Sequence, residues 1–171
     1  MNAADVQESS ELRLRPPARR VERRAISWWM LRNAVACGVP LAALIVAMVL
    51  WEPVRAWFLM PTIALALVLV AKVAVEPRWR FGVHRWEITE RATYARHGWL
   101  VVEQRVAPTT RIQTVDAVRG PLEQIFGLST LRVTTASSYG AIAIRGLDRH
   151  TAEEAAARLA AVAELAEGDA T

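Results

Sequence analysis

The sequence is poor in cysteine, histidine and lysine, and each scarcity excludes a chemistry. Cys37 is the single cysteine in 171 residues, so an intrachain disulfide and a cysteine-cluster metal site are both excluded. It lies in an apolar run and reads as a small buried apolar residue. The three histidines, His84, His97 and His150, have no H-x-x-x-H spacing that would place two ligands on one helix face. There is no G-x-S-x-G nucleophile turn, no phosphate loop ending in Lys-Ser/Thr, and no G-x-G-x-x-G. The expectation is therefore no catalytic residue, no cofactor and no metal: a protein that is not an enzyme. A carboxylate pair from Asp116 and Glu123 is the nearest alternative, with plain surface solvation as the simpler account of both.

Charge is missing from two long stretches. From Asn33 to Trp51 no charged residue occurs, and between Trp57 and Val75 only Lys72 does. A helix rises about 1.5 Å per residue, so roughly 20 apolar residues cross the hydrocarbon core. Both stretches are long enough, which predicts membrane helices over about 30–51 and 57–75 within a 28–75 segment. Two buried helices of a soluble core would show a polar face over this length, and these do not. The short "EPVR" connection at 52–55 makes the pair an antiparallel hairpin. Trp28, Trp29, Trp51 and Trp57 bracket it, where amphipathic rings favour the interface.

The formal charge of +4 is unevenly placed. Residues 1–33 hold seven arginines against four acids, whereas residues 76–171 hold twelve of each. The basic surplus borders the apolar segment, not the C-terminal domain, so a nucleic-acid-binding face is not expected. Arginines precede the first span and follow the second, while the turn carries only Arg55. The positive-inside rule then puts both termini and the C-terminal domain in the cytoplasm. Residues 1–27, polar and broken by Pro16-Pro17, read as a disordered cytoplasmic tail.

Residues 76–171 change pattern to short alternating runs. Strands are predicted around "RWEI", "ATYAR", "WLVVEQRVA", "RIQTVDAVR", "STLRVTTA" and "AIAIR". His97-Gly98 and "SSYG" (137–140) read as turns, and the uneven spacing of Ile112, Val115 and Val118 suggests a bulge. Gly120-Pro121 reads as a corner. Gly120 ends a strand, Pro121 opens a short helix, and Leu122, Ile125 and Phe126 turn inward before Gly127 releases the next strand. A phosphate cradle there lacks the Lys and Ser/Thr it would need. A final helix opens on a T-x-x-E capping box, Thr151 to Glu154, and Gly168 is its stop signal. The fold class is α+β: a transmembrane hairpin, then a curved sheet or barrel covered by a helix.

The text "RWEITERATYARHGWLVVEQRVAPTTRIQTVDAVRGPLEQIFGLSTLRVTTASSYGAIAIRGL", behind two spans, resembles the bacterial membrane-anchored PH-domain proteins of the YdbS-like family. Its most specific part is "RIQTVDAVRGPLEQIFGLSTLRVTTA", with Gly120, Pro121, Phe126 and Gly127 as the fold-defining corner. The resemblance covers roughly 28–165. It implies a bacterial plasma-membrane location and a pleckstrin-homology-like barrel of two sheets capped by the C-terminal helix. Six strands are visible where a full barrel has seven, and "WRFGV" (79–83) is the candidate for the missing one.

The resemblance also implies a binding or assembly module, whose partner would be a larger PH-domain membrane protein or a second copy of the chain. The leading expectation is scaffolding at the inner membrane. One alternative is an anionic-lipid sensor using Arg78, Arg80 and Arg85, which follow the second span. Another is an accessory subunit of an envelope enzyme or transporter. The spans offer that alternative little polar path, with Asn33 and Lys72 near their ends and Thr62 inside.

Overall fold

The computed structural model describes residues 17–135 and 141–168. Helix α1 runs from Arg24 to Leu50 with Pro40 inside it. A 3-10 turn, Glu52–Val54, leads to α2, Arg55–Val70. A π-helical segment, Ala71–Val75, then carries the chain into α3, Glu76–Val83. The second helix is thus continuous for 29 residues, from Arg55 to Val83. Both helices are long and apolar enough to cross a membrane. Large apolar side chains such as Val39, Val49, Met60 and Leu67 face outward, with none of the described residues over them. The bare stretches, Val35 to Leu50 and Trp57 to Val75, measure about 24 and 28 Å at 1.5 Å per residue. That is close to the thickness of a hydrocarbon core.

Among the described residues, seven strands follow, all paired antiparallel. The first sheet has the order β1-β2-β3-β4, built from Arg19–Arg20, Arg85–Ile88, Ala92–Gly98 and Val102–Pro108. The second has the order β5-β6-β7, from Ile112–Val118, Leu128–Thr135 and Ile142–Asp148. Pro121–Ile125 forms the short helix α4 between β5 and β6, and α5 runs from Arg149 to Gly168. Ala152, Ala155 and Leu159 of α5 lie in one core with Leu131, Val133 and Ile144 of the second sheet. The bulge expected in the fourth predicted strand is present as a register shift between Ile112 and Thr114. The "SSYG" turn lies outside the described residues.

The missing strand comes from the other side of the hairpin. "WRFGV" belongs to α3, because the helix of the second span continues into it. The seventh strand is Arg19–Arg20, in the segment expected to be a disordered tail, and it pairs with Arg85 and Trp86. Val21, Ala25, Trp28 and Trp29 then enter the core of the β-domain. Trp28 and Trp29, expected at the membrane interface, are covered by protein instead, while Trp51 and Trp57 are exposed as expected. The β-domain therefore does not begin at residue 76. It includes the first turns of α1, and the segment expected to be a disordered tail, 1–27, is part of the fold from Pro17 onward, its residues 1–16 lying outside the described residues.

Gly146 shows how closely α1 approaches. Its φ is +81°, and a Cβ built there would lie 2.8 Å from the Cβ of Ala25. Only glycine combines that backbone with that contact. The Glu22 amide donates to the Gly146 carbonyl at 2.9 Å in the same place.

Two sequence expectations are corrected at helix ends. Helix α5 starts two residues before Thr151, because the Asp148 carboxylate accepts the His150 amide at 3.0 Å and caps it. In α4, Pro121 occupies the first turn as expected, and Leu122 and Phe126 pack against the core. Ile125, however, is 74% exposed, and Glu123 is buried in its place. The cause is a capping contact: Glu123 Oε2 accepts the Gly120 amide at 2.7 Å, which draws the third residue of the helix under the turn.

Candidate functional site

The densest polar cluster lies where the hairpin enters the β-domain. The π-helical segment leaves backbone groups of the second helix without regular partners. Asn33 of α1 meets one of them, donating from Nδ2 to the Lys72 carbonyl at 2.7 Å. The same Nδ2 lies 3.3 Å from Oε2 of Glu76. Glu76 is buried, and it also pairs with Lys72 Nζ at 3.1 Å and Arg80 Nη1 at 3.3 Å. A buried carboxylate is stable only when several donors replace its water, and Glu76 has three. The cluster fixes the two helices to one another at the end of the bare apolar stretch.

Aromatic rings continue the cluster toward the sheets. The Arg80 guanidinium sits 5.1 Å from the Trp29 ring centroid, and the Trp29 and His84 rings are 5.0 Å apart. His84 Nδ1 donates to the Arg80 carbonyl at 3.0 Å, and its ring lies 6.1 Å from that of His97. Burial, aided by the Arg80 charge, lowers the His84 pKa to about 4, so the ring is neutral at pH 7. His97 is lowered too, chiefly by burial, against the pull of Glu103 at 3.5 Å. His84, Arg85, Arg96, His97 and Arg145 line a cavity of about 10 Å³ here, room for about one water and no ligand.

The three arginines expected at lipid headgroups have different surroundings. Arg78 is exposed beside Trp79 and donates to the Ala74 carbonyl. Arg80 points into the cluster just described. Arg85 lies on β2, paired with Arg20 and Arg96. They do not form one patch.

The corner is tied to the first helix. Arg24 donates from Nη1 to the Phe126 carbonyl at 3.3 Å and pairs through Nη2 with Asp148 at 2.5 Å. Gly127 has φ +63°, and a Cβ there would lie 2.9 Å from Arg24 Nη1. Gly120 has an extended backbone, and a Cβ there would make only an ordinary contact with Glu123 Oε2 at 3.5 Å, so of the two glycines only Gly127 is required by conformation. Glu123 spends both oxygens on the corner, accepting from Gly120 N and from Thr130 Oγ1 at 2.6 Å, while Asp116 is exposed on β5. This arrangement locks a turn and leaves no carboxylate pair poised for proton transfer. Among the described residues, no group of His, Cys, Asp or Glu could hold a metal ion.

Sequence reasoning singled out Asn33 and Lys72 near the span ends but neither Glu76 nor their meeting. Asn33, Lys72 and Glu76 interrupt otherwise apolar helices, and that was the signal available.

A family model described as "Bacterial PH domain" matches residues 33–163. The chain is also similar to the UPF0699 transmembrane protein YdbS of Bacillus subtilis (strain 168), with 32% identity over 73 residues. That match covers 43% of this chain and 46% of the relative, so it spans less than half the relative's length. No solved structure matches the chain.

Proposed function

The chain belongs to the bacterial PH domain family, and from that premise we propose that it is a non-enzymatic assembly module of the plasma membrane. Its PH-like domain faces the cytoplasm and holds a PH-like domain of another membrane protein. The orientation rests on the arginines flanking the hairpin.

The observation that carries the partner reading is the edge of β5. Among the described residues, β5 is hydrogen-bonded to no strand but β6. It is seven residues long, and Asp116 is its one charge. The other edges are blunted. β1 has two residues, and β4 carries the Glu103–Arg105 ion pair at 3.1 Å and ends at Pro108. On β7, the Gly146 carbonyl is taken by the Glu22 amide. Beyond its bulge at Ile112–Thr114, β5 is a long, nearly uncharged edge, and such an edge is a template for an added strand.

A photo-crosslinking residue at Gln113, in native membranes, tests this. The expected adduct is a membrane protein with PH-like domains, with no such adduct from Glu103 on β4. Thr114→Lys with Ala117→Lys should abolish it. An absence of protein adducts at Gln113, with binding of the purified chain governed by anionic lipid, would overturn the partner reading.

One observation favours a second reading. Arg78 and Trp79 are exposed together where the second helix leaves its bare stretch. A basic residue at that level gains about 1 kcal/mol from an anionic leaflet.

A further inference from the structure

The geometry points to a third membrane contact, made by the tip of the β3-β4 hairpin. Gly98 pairs with Val102, and the three residues between them are Trp99, Leu100 and Val101. Turn residues facing water are ordinarily polar or glycine. Here Leu100 is 82% exposed and Val101 74%, and neither is covered by any described part of the chain.

The position of this tip is fixed by the second span. Lys72 Nζ lies 5.6 Å from the Trp99 ring centroid, and the same ammonium is held by Glu76 at 3.1 Å. Lys72 is four residues toward the span from Glu76, about 6 Å along the helix. The hairpin tip therefore lies at the level of the buried cluster, beside the last turn of the apolar stretch, where Val75 is also bare. At that level a bilayer surrounds the helices. An exposed Leu-Val tip beside a tryptophan suits its interface, where an indole ring and apolar side chains are both stable.

The tip is also built to hold its shape. Gly98 has φ +137°, and a Cβ there would fall 1.9 Å from the Val101 carbonyl oxygen. No other residue closes this loop without moving it. With the two helices, the hairpin gives the β-domain three points of attachment, which sets its tilt on the membrane surface. The tip is a different surface from β5, and its contact with the membrane needs no protein partner.

The test uses the full chain with Cys37→Ala, carrying Leu100→Cys or, as the water-facing control, Gln113→Cys. Each is labelled with an environment-sensitive fluorophore and reconstituted in phosphatidylcholine–phosphatidylglycerol vesicles over a series of protein-to-lipid ratios. The expected result is a blue-shifted label at 100, quenched by nitroxide lipid several-fold more than the label at 113. Aqueous iodide should show the reverse order, and neither should change with dilution. Gly98→Ala should reduce the lipid quenching at 100 while α1–α2 helicity is kept. Equal iodide access at 100 and 113 would overturn the proposal. So would shielding at 100 that fades on dilution, which would mean a second copy covers the tip. Shielding seen only in native membranes would assign the tip to another protein and overturn it equally.

Discussion

Arg24 and Asp148, 124 positions apart, meet as an ion pair with Nη2 2.5 Å from Oδ2. Arg24 is in the first turn of the first long helix, and Asp148 caps the last. The pair joins the segment before the hairpin to the end of the β-domain. Burial would raise the Asp148 pKa, but the hydrogen bonds from Arg24 and the His150 amide, with the Arg24 charge, hold it below the usual carboxylate range. A depressed carboxylate stabilises the fold above its unfolded pKa, and that contribution is lost as pH falls through the folded value. Asp148→Ala removes both pair and cap and should cost about 1–2 kcal/mol. Asp148→Asn keeps a cap and loses the charge, so it should cost about 1 kcal/mol or less. Thermal melts in mild detergent at pH 7 would check the order. Equal losses would mean that capping contributes nothing.

The β-domain should not fold without the segment that precedes the hairpin. Trp29 is fully buried, and Val21 and Ala25 share its core. Trp29→Ala should cost about 3–5 kcal/mol, as other buried aromatic truncations do. A fragment of residues 76–171 lacks β1 and these three core residues, and it should give the poorly dispersed amide NMR spectrum of an unpacked chain. A 17–171 chain in detergent should behave as the whole. A well-dispersed spectrum from 76–171 would show that the sheets close without α1.

Much of this architecture is legible in the sequence, and the part that is not has a physical reason. Six strands announce themselves by alternation, and the hairpin by its uncharged length, because each pattern is local. Arg19–Arg20 gives no such signal: two arginines make a strand only because β2 offers them an edge. Trp28 and Trp29 look like interface anchors because a tryptophan pair beside a span suits a membrane surface and a protein core equally. The difference lies in Gly146, more than a hundred residues away, whose missing side chain admits the helix. The Asn33–Lys72–Glu76 cluster was hidden for the same reason: each residue is ordinary alone, and only the π-helical segment turns the Lys72 carbonyl toward Asn33. Conversely, Ile125 and Glu123 each follow hydropathy in the sequence and exchange places in the fold, because a capping bond outweighs one apolar side chain at a five-residue helix.

Mild acid should loosen the junction between spans and sheets. His84 is buried as the neutral form with its pKa lowered to about 4, facing Arg80, His97 and Arg145. The unfolded chain takes up a proton near pH 6.5, so stability is full above that value and falls below it, until the folded ring titrates. The loss should be about 1.4 kcal/mol per pH unit, reaching about 2 kcal/mol at pH 5. His84→Phe removes the proton site and keeps a ring against Trp29. Its melting temperature should start lower, because the bond to the Arg80 carbonyl is gone, and should change less between pH 7.5 and 5. Parallel pH profiles for the two proteins would mean that other groups govern the acid response.

The two glycines of the corner should respond in opposite ways. Gly120 has φ −76°, and a Cβ there would sit 3.5 Å from Glu123 Oε2, an ordinary contact. Serine is at least as good as glycine at a helix N-cap, so Gly120→Ser should leave stability within about 0.5 kcal/mol. Gly127 has φ +63°, which costs a residue with a side chain about 1–2 kcal/mol. Its new methyl would also press on Arg24, whose guanidinium binds the Phe126 carbonyl and Asp148. The second effect is separable from the first. In an Arg24→Ala background the methyl meets open space, so Gly127→Ala should cost less there than in the native chain. A double-mutant cycle on thermal melts measures that difference directly. Strict additivity would mean that the backbone conformation alone demands the glycine and that Arg24 yields without loss. Coupling would tie the sequence's most recognisable turn to the helix that enters the membrane.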